Sequence, residues 1–471
     1  MSNVTAVKTA APQAAAPTLP TRSLLGHLPR FRTDPIGLFR EGAVLGDVVR
    51  FPVGPRSVYL LRRPEHAKYV LQDACKYFTK QTKGYHSLRF ILGNGLVTSE
   101  GEFWLRQRRI AQPAFHRQRI AQFGESMTSI TEEMLDRWAR EIPPGGTIDV
   151  AKEMMALTLR IMGHTLLSTE LSQQAGTVAS SLVELLQQII ERATQLVSLP
   201  VWLPTQKNRR VMRAREQLDR IVYGIIAERR KARHAGSDLL GMLMDARDEE
   251  TGAAMTDEQL RDEVMTIFLA GHETTSNALS WTFYLLSQHP QVEDKVRAET
   301  RAVLGGRAPK IEDLARLPYA LMVIQEAMRL YPPVWLLMRR SERLESIDGY
   351  RIPVHSFIAI SPYMIQRDVR NFKSPEEFLP ERFAPENAAA IHRFAYFPFG
   401  AGPRVCIGNN FALIEAQLIL ATVIQRFSLK LKPGHPVEAH PTVTLRPRHG
   451  IAMSVHPPDA RAKVPVPSAD P

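Results

Sequence analysis

The stretch Phe399-Gly400-Ala401-Gly402-Pro403-Arg404-Val405-Cys406-Ile407-Gly408 carries the strongest chemical signal in the chain. Its glycines permit backbone angles barred to other residues and let a flat or bulky group come close. An apolar helix is expected from about Gly408 to Arg426, so Cys406 sits at a helix N-terminus. Backbone N–H donors and the positive end of the helix dipole favour thiolate over thiol there. A rigidly held thiolate is a metal ligand or a nucleophile. The only other cysteine, Cys75, is remote in sequence, which excludes a CxxC zinc or iron–sulfur set. A single soft axial thiolate suits haem iron. A free cysteine buried in a glycine loop is the alternative reading of these residues alone.

Ala270-Gly271-His272-Glu273-Thr274-Thr275-Ser276-Asn277 forms a second constellation. Poor helix formers gather here in the middle of a segment otherwise well specified as a helix. Such local violations mark functional sites. Gly271 is expected to leave room for a small ligand. A threonine hydroxyl can bond a backbone carbonyl or a guest. Glu326-x-x-Arg329 places two opposite charges on one helix face. Trp104-x-x-x-Arg108 has Arg106 and Arg109 alongside.

These patterns resemble those of the cytochrome P450 family. Phe399, Gly402, Arg404, Cys406 and Gly408 match every fixed position of its haem-binding signature F-x-x-G-x-R-x-C-x-G. The resemblance implies haem b with Cys406 as the iron ligand. It makes Glu273 and Thr274 the acid–alcohol pair that delivers protons during dioxygen activation. It adds Arg382, in Pro380-Glu381-Arg382-Phe383, to Glu326 and Arg329 as a structural cluster that locks the loop leading to the cysteine. Trp104, Arg108 and Arg404 would serve the haem propionates, with Gly271 against the cofactor and Arg339 as a further cation, Arg340 being the alternative. Gln366 stands where many members have His, and Glu273 where many have Asp. The resemblance runs over roughly residues 23–456, with the motifs in the family's order.

The rest of the chain must position these groups. It has 471 residues, a net charge of +12, 44% hydrophobic and 23% charged residues. This is ordinary globular composition, neither disordered nor fibrous. Thr256 with Gln259 makes a capping box, and the helix it opens should run to about Gln288, before His289-Pro290. Amphipathic helices are expected over 176–197 and 208–232, the latter strongly basic. Alternation predicts strands at Asp47–Val53 and Ser57–Leu61, joined as a hairpin, and others at Ser346–Ile352, Phe357–Ile360 and Val443–Val455. Residues 364–408 lack periodicity, and a loop so long in a compact domain is usually functional. The fold expected is mainly α with a small β region: one large domain of cytochrome P450 type over 23–456. Residues 1–22 read as a disordered leader and 457–471 as a disordered tail. No membrane anchor or signal segment is read in the sequence, and a cytoplasmic protein is expected.

The expected reaction is insertion of one atom of dioxygen into an apolar organic substrate: a fatty acid, terpenoid, steroid or polyketide. Val97, Phe268, Ala270, Val334, Trp335, Leu336 and Val443 are expected to line its pocket. Electrons should come from a separate ferredoxin or flavodoxin with its reductase and NAD(P)H, since the haem domain uses up the chain. The run Arg106, Arg108, Arg109, Arg117 and Arg119 is compatible with steering an acidic partner. No recognition motif supports nucleic-acid binding. A peroxide-driven peroxygenase or isomerase, and a non-enzymatic haem sensor, are the competing readings. Retention of Glu273-Thr274 favours the oxygen-dependent route.

Overall fold

The computed structural model describes residues 14–168, 181, 185, 203–232 and 238–457. Seven of its helices bear on the site: α1 (Gly101–Ala111), α2 (Gly124–Glu141), α3 (Val150–Leu167), α4 (Gln206–Ala232), α5 (Asp257–Gln288), α6 (Pro318–Leu330) and α7 (Asn409–Arg426).

Helix α5 is the axis of the molecule. The Thr256 hydroxyl accepts the Gln259 N–H at 3.2 Å, and the Gln259 side chain accepts the Thr256 N–H at 2.9 Å. The predicted capping box is thus complete. The helix runs 32 residues and stops before Pro290, whose ring cannot continue the hydrogen-bond ladder of a preceding helix. It is buried on nearly every side between Leu260 and Leu286, the mark of a central core helix. Helices α3, α4, α6 and α7 pack around it. The basic segment forms α4 as expected. The helix expected over 176–197 lies outside the described residues except for Ser181 and Leu185, both buried.

The largest sheet packs in core clusters separate from that of the central helices. Val48–Val53 and Arg56–Leu61 form the expected hairpin around Gly54, and the five-stranded sheet continues through Phe357–Ile360, Leu337–Ser341 and Phe78–Thr79. Two strand expectations are corrected. Ser346–Ile352 is not one strand: Glu345–Ile347 folds back on Tyr350–Ile352. Asp348 and Gly349 take left-handed angles at the turn, φ 50° and 79°, the geometry an Asp-Gly hairpin turn requires. Val443–Val455 likewise divides into Leu445–Pro447 and Ala452–His456, which pair with different partners.

The leader is also corrected. Ala14–Ala15 pairs in parallel with Tyr350–Arg351. The Arg50 N–H donates to Pro17 O at 2.8 Å, and the Leu19 N–H to Arg50 O at 3.1 Å. Residues 14–22 therefore belong to the fold: their backbone extends sheet edges, and Ala16 and Leu19 are buried in the cores beside those sheets. Residues 1–13 and 458–471 are outside the described set. Among the described residues, no helix is long and apolar enough to cross a membrane. Residues 364–408 contain only short turns of helix, such as Pro380–Phe383 and Pro385–Ala388.

Candidate active site

The cysteine loop owes its shape to two glycines in the left-handed region, Gly400 at φ 72° and Gly402 at φ 68°. A Cβ on Gly402 would lie 1.9 Å from Leu71 O, so no other residue fits there. The Cys406 N–H closes the loop on Phe399 O at 2.9 Å. Gly408 caps α7, and its N–H points at the sulfur. The sulfur lies deep in the molecule yet opens onto an internal cavity. Burial pushes the thiol up, against the Gly408 N–H and the Arg108 guanidinium, which both favour thiolate. The sequence expectation counted only the favourable contributions. Burial outweighs them until a metal takes the proton's place. Arg108 itself donates to Val405 O at 2.9 Å and so braces the same loop.

The cavity measures about 680 Å³ and lies between the cysteine loop and α5. Val97, Ala270, Val334, Trp335, Leu336 and Val443 all line it, as do Phe399, Gly408 and Trp104. Phe268 does not: its ring is buried beside His272, with centroids 5.7 Å apart. Positions 268 and 272 share the stripe of α5 turned away from the cavity, and the His272 ring bonds Phe268 O at 2.7 Å. Gly271 lines the cavity, and a Cβ there would also meet the Met162 sulfur of α3 at 2.8 Å, so the missing side chain eases the α3–α5 contact as well.

One end of the cavity is cationic. Arg404 stacks over the Trp104 ring at 3.7 Å and donates to Ser99 O at 2.8 Å. Arg339 reaches Tyr85 Oη at 3.3 Å, whereas Arg340 turns to Glu342 at 3.0 Å, so Arg339 is the one at the cavity. Lys80, which no sequence pattern singled out, joins them. It is buried and its Nζ donates to Val97 O at 2.7 Å. Burial first, then the Arg404 and Arg339 charges, hold its pKa well below the lysine range. Burial likewise pushes Arg404 down to about 10. Glu100 is the nearby carboxylate, and it is engaged by the Lys80 N–H at 2.6 Å and by Gln81 at 2.9 Å. Cations crowded in this way demand anions. The two carboxylates of haem, with a soft thiolate on the cavity wall for iron, satisfy that demand, so the residues present fit the cofactor.

On α5, the Thr274 hydroxyl donates to Ala270 O at 2.6 Å. Glu273 is buried, which raises its pKa, and its Oε1 accepts the Thr444 hydroxyl at 2.7 Å. Both residues line the cavity, and Thr444, another residue that sequence reasoning missed, lines it with them.

Behind the cavity, Glu326 and Arg329 are fully buried and pair through two bonds of 2.7 and 2.8 Å. Arg329 also donates to Gln366 O, Pro375 O and Glu377 O at 2.7 to 3.0 Å. Arg382 reaches Glu326 at 3.3 Å and Ser374 O at 2.7 Å. The irregular segment is thus clamped by buried charge. Gln366 fills the position where histidine is common: it donates to Met328 O and Arg329 O and accepts the Phe397 N–H. On the surface, Arg109 is tied to Asp248 at 3.1 Å and Glu250 at 2.6 Å, which removes it from the arginines free to steer a partner.

The cytochrome P450 family model matches residues 17–454. Cyclooctatin synthase of Streptomyces melanosporofaciens is 38% identical, over 90% of this chain and 91% of its own. Cyclooctat-9-en-7-ol 5-monooxygenase of the same organism is 36% identical, covering 87% and 88%. Pentalenene oxygenase of Streptomyces avermitilis is 32% identical, covering 88% and 91%. A crystal structure of the cytochrome P450DA heme domain superposes with a TM-score of 0.86 at 27% identity, covering 94% of this chain and 98% of that one. Thiolate loop, cationic cavity end and glutamate-clamped segment thereby find their common explanation: the chain belongs to the cytochrome P450 family, as a mainly helical, single-domain monooxygenase that uses haem iron, dioxygen, an organic substrate and electrons from a redox partner.

Proposed function

We propose that this monooxygenase oxygenates a cyclic terpenoid, with haem b as the cofactor, electrons from a separate ferredoxin or flavodoxin served by an NAD(P)H-dependent reductase, and the cytoplasm as its compartment. The observation that carries the substrate class is the cavity's division. Lys80, Arg339 and Arg404 gather at one end, and Val97, Ala270, Val334, Trp335, Leu336 and Val443 supply apolar wall elsewhere. The relatives named for cyclooctatin, cyclooctat-9-en-7-ol and pentalenene support that choice over a fatty acid, steroid or polyketide.

In this reading, Cys406 holds the iron, and Phe399 and Gly408 shape the sulfur's surroundings. Trp104, Arg108, Arg339, Arg404 and Lys80 hold the propionates. Bound there, haem supplies the redox chemistry that splits dioxygen and puts one atom into the substrate. Glu273 keeps its proton to higher pH because it is buried, and Thr274 carries a hydroxyl on the same cavity wall. The pair therefore holds protons where dioxygen must be reduced. Trp335 is locked by its indole N–H on Thr442 O at 2.8 Å and gives the apolar wall a rigid face.

The test is a spectral binding screen of the holoenzyme with terpene hydrocarbons and alcohols, followed by turnover with a ferredoxin system and product mass. Terpenoids should displace the haem from low to high spin and gain one oxygen. Fatty acids binding and turning over while every terpenoid fails would overturn the substrate class.

A further inference from the structure

One wall of the cavity is a loop rather than a helix. Gly93-Asn94-Gly95-Leu96-Val97 crosses α5, and Leu96 and Val97 face inward. Two consecutive acids of α5 hold this loop from behind. Asp262 Oδ2 accepts the Asn94 N–H at 2.6 Å, and Glu263 Oε2 accepts the Leu96 N–H at 3.1 Å. Asp262 is fixed in turn by Arg261 at 2.9 Å, and Arg261 also donates to Ile91 O at 3.1 Å, just before the loop.

The glycines belong to the same contact. Gly93 has φ 71°, and a Cβ there would lie 2.0 Å from Asp262 Oδ1. At Gly95 a Cβ would lie 2.3 Å from Thr266 Oγ1 and 2.7 Å from Asp262 O. The loop can therefore sit on α5 only because both side chains are missing. Glu263 is 1% exposed, and its second oxygen has no hydrogen-bond partner among the described residues. A buried polar group left half satisfied is costly, and a hydrophobic residue would fill that space more cheaply. Neither acid lines the cavity.

We propose that Asp262 and Glu263 are positioning residues for substrate selectivity: by gripping the Asn94 and Leu96 amides they set how far Leu96 and Val97 project into the cavity, and so which skeletons fit. The loop's other end is held by Lys80 on Val97 O, so the same grip registers the apolar wall against the propionate end. Burial pushes the Glu263 carboxyl up to about 8, which leaves it neutral at pH 7. Glutamine is then its close mimic, retaining the acceptor for Leu96.

The proposal uses the haem only as a reporter. Holoenzymes carrying Glu263→Gln, Glu263→Leu or Gly95→Ala are titrated with imidazole, a small haem ligand, and clotrimazole, a bulky one. Glu263→Leu and Gly95→Ala should change the clotrimazole-to-imidazole affinity ratio by about tenfold, as expected for a lost buried hydrogen bond. Glu263→Gln should leave it near wild type. Hydrogen exchange across 93–98 is read in parallel and needs no haem; it should speed up in the first two variants only. An unchanged ratio with unchanged exchange in both Glu263→Leu and Gly95→Ala, or equal effects of Gln and Leu, would overturn the proposal. Loss of the imidazole spectrum with faster exchange would instead fault the cofactor site and leave the grip standing.

Discussion

The Thr444 hydroxyl donates to Glu273 Oε1 at 2.7 Å and accepts from Asn277 Nδ2 at 3.2 Å. The acid of the central helix is therefore tethered to a C-terminal turn and not to its neighbour Thr274, whose hydroxyl is spent on Ala270 O. The tether lowers a pKa that burial raises. Thr444→Val should raise it further and move the alkaline limb of product formation to higher pH, with a modest loss of rate. Glu273→Gln, which cannot release a proton, should cost on the order of 100-fold in product formation. Thr274→Ala should divert electrons to hydrogen peroxide. Product and peroxide per NAD(P)H, measured against pH, check all three. A Thr444→Val profile identical to wild type would show that the tether does not govern the acid.

Glu326 receives both Arg329 and Arg382, and its Oε1 also accepts the Leu379 N–H at 3.0 Å. Glu326→Ala would strand the fully buried Arg329 guanidinium and deprive the partly buried Arg382 of its carboxylate, a loss of about 3–5 kcal/mol for a broken buried pair. It should yield little folded holoprotein. Arg382→Lys keeps the charge at the weaker contact and should fold, with a lower melting temperature. The carbon monoxide difference spectrum of equal expression lots reads both outcomes, and a fully loaded Glu326→Ala protein would contradict the clamp.

The site was legible where its chemistry is local. Cys406 with its glycines, Glu326 with Arg329, and Trp104 with Arg108 each lie within one loop or turn, so spacing alone exposes them. Lys80 and Thr444 were not legible, because their partners Val97, Arg404 and Glu273 lie far off in sequence and no periodicity encodes such contacts. Phe268 was misplaced for a different reason. A helix lined by apolar residues on every side does not announce which stripe meets the cavity, and 268 fell on the stripe with His272. The fold followed the same division: the capping box of α5 and the 48–61 hairpin were read directly, whereas the turn at Asp348-Gly349 was overlooked inside an alternating run.

Cys406 starts as a thiol whose proton burial favours keeping, and iron ligation must remove it. Haem uptake by apoprotein should thus release a proton and tighten as pH rises toward the thiol pKa. Titration with haem in weakly buffered solution, followed by pH electrode and absorbance, measures this. Cys406→Ser should abolish the red-displaced carbon monoxide band. Uptake independent of pH would mean that the sulfur is already ionised.

Glu415 on α7 is wholly buried, and neither carboxyl oxygen has a hydrogen-bond partner among the described residues. Thr275 is near enough to oppose the effect of burial, but it donates its proton to Gly271 O at 3.0 Å. Burial pushes Glu415 up to about 8 from 4.5. Between those values the folded state binds more protons than the unfolded one, so its stabilising contribution is full below 4.5 and is lost as pH rises through 8. Glu415→Gln should flatten that decline. Melting temperatures from pH 5 to 9, compared between the two proteins, decide it; parallel curves would mean that the carboxyl gains a partner the static structure does not show.

Lys80 is a liability to the empty protein and an asset to the loaded one. Its ammonium is buried among Arg404, Arg339 and Arg89, with Glu100 as the opposing charge, and its pKa is depressed accordingly. For a lysine held low, the unfolded chain binds the extra proton, so the apoprotein gains stability as pH rises toward the ordinary lysine range. Lys80→Met keeps most of the aliphatic stem and removes the ammonium that lies 5.3 Å from the Tyr85 ring centroid. The apoprotein should then melt higher at pH 7 than wild type, while haem dissociates about tenfold faster for want of one charge-assisted bond to a propionate. Melting of the apo forms and haem transfer to apomyoglobin measure the two effects separately. A variant that lost apoprotein stability and kept its haem would reverse both signs and show that the ammonium serves the fold through Val97 O, with no part in holding the cofactor.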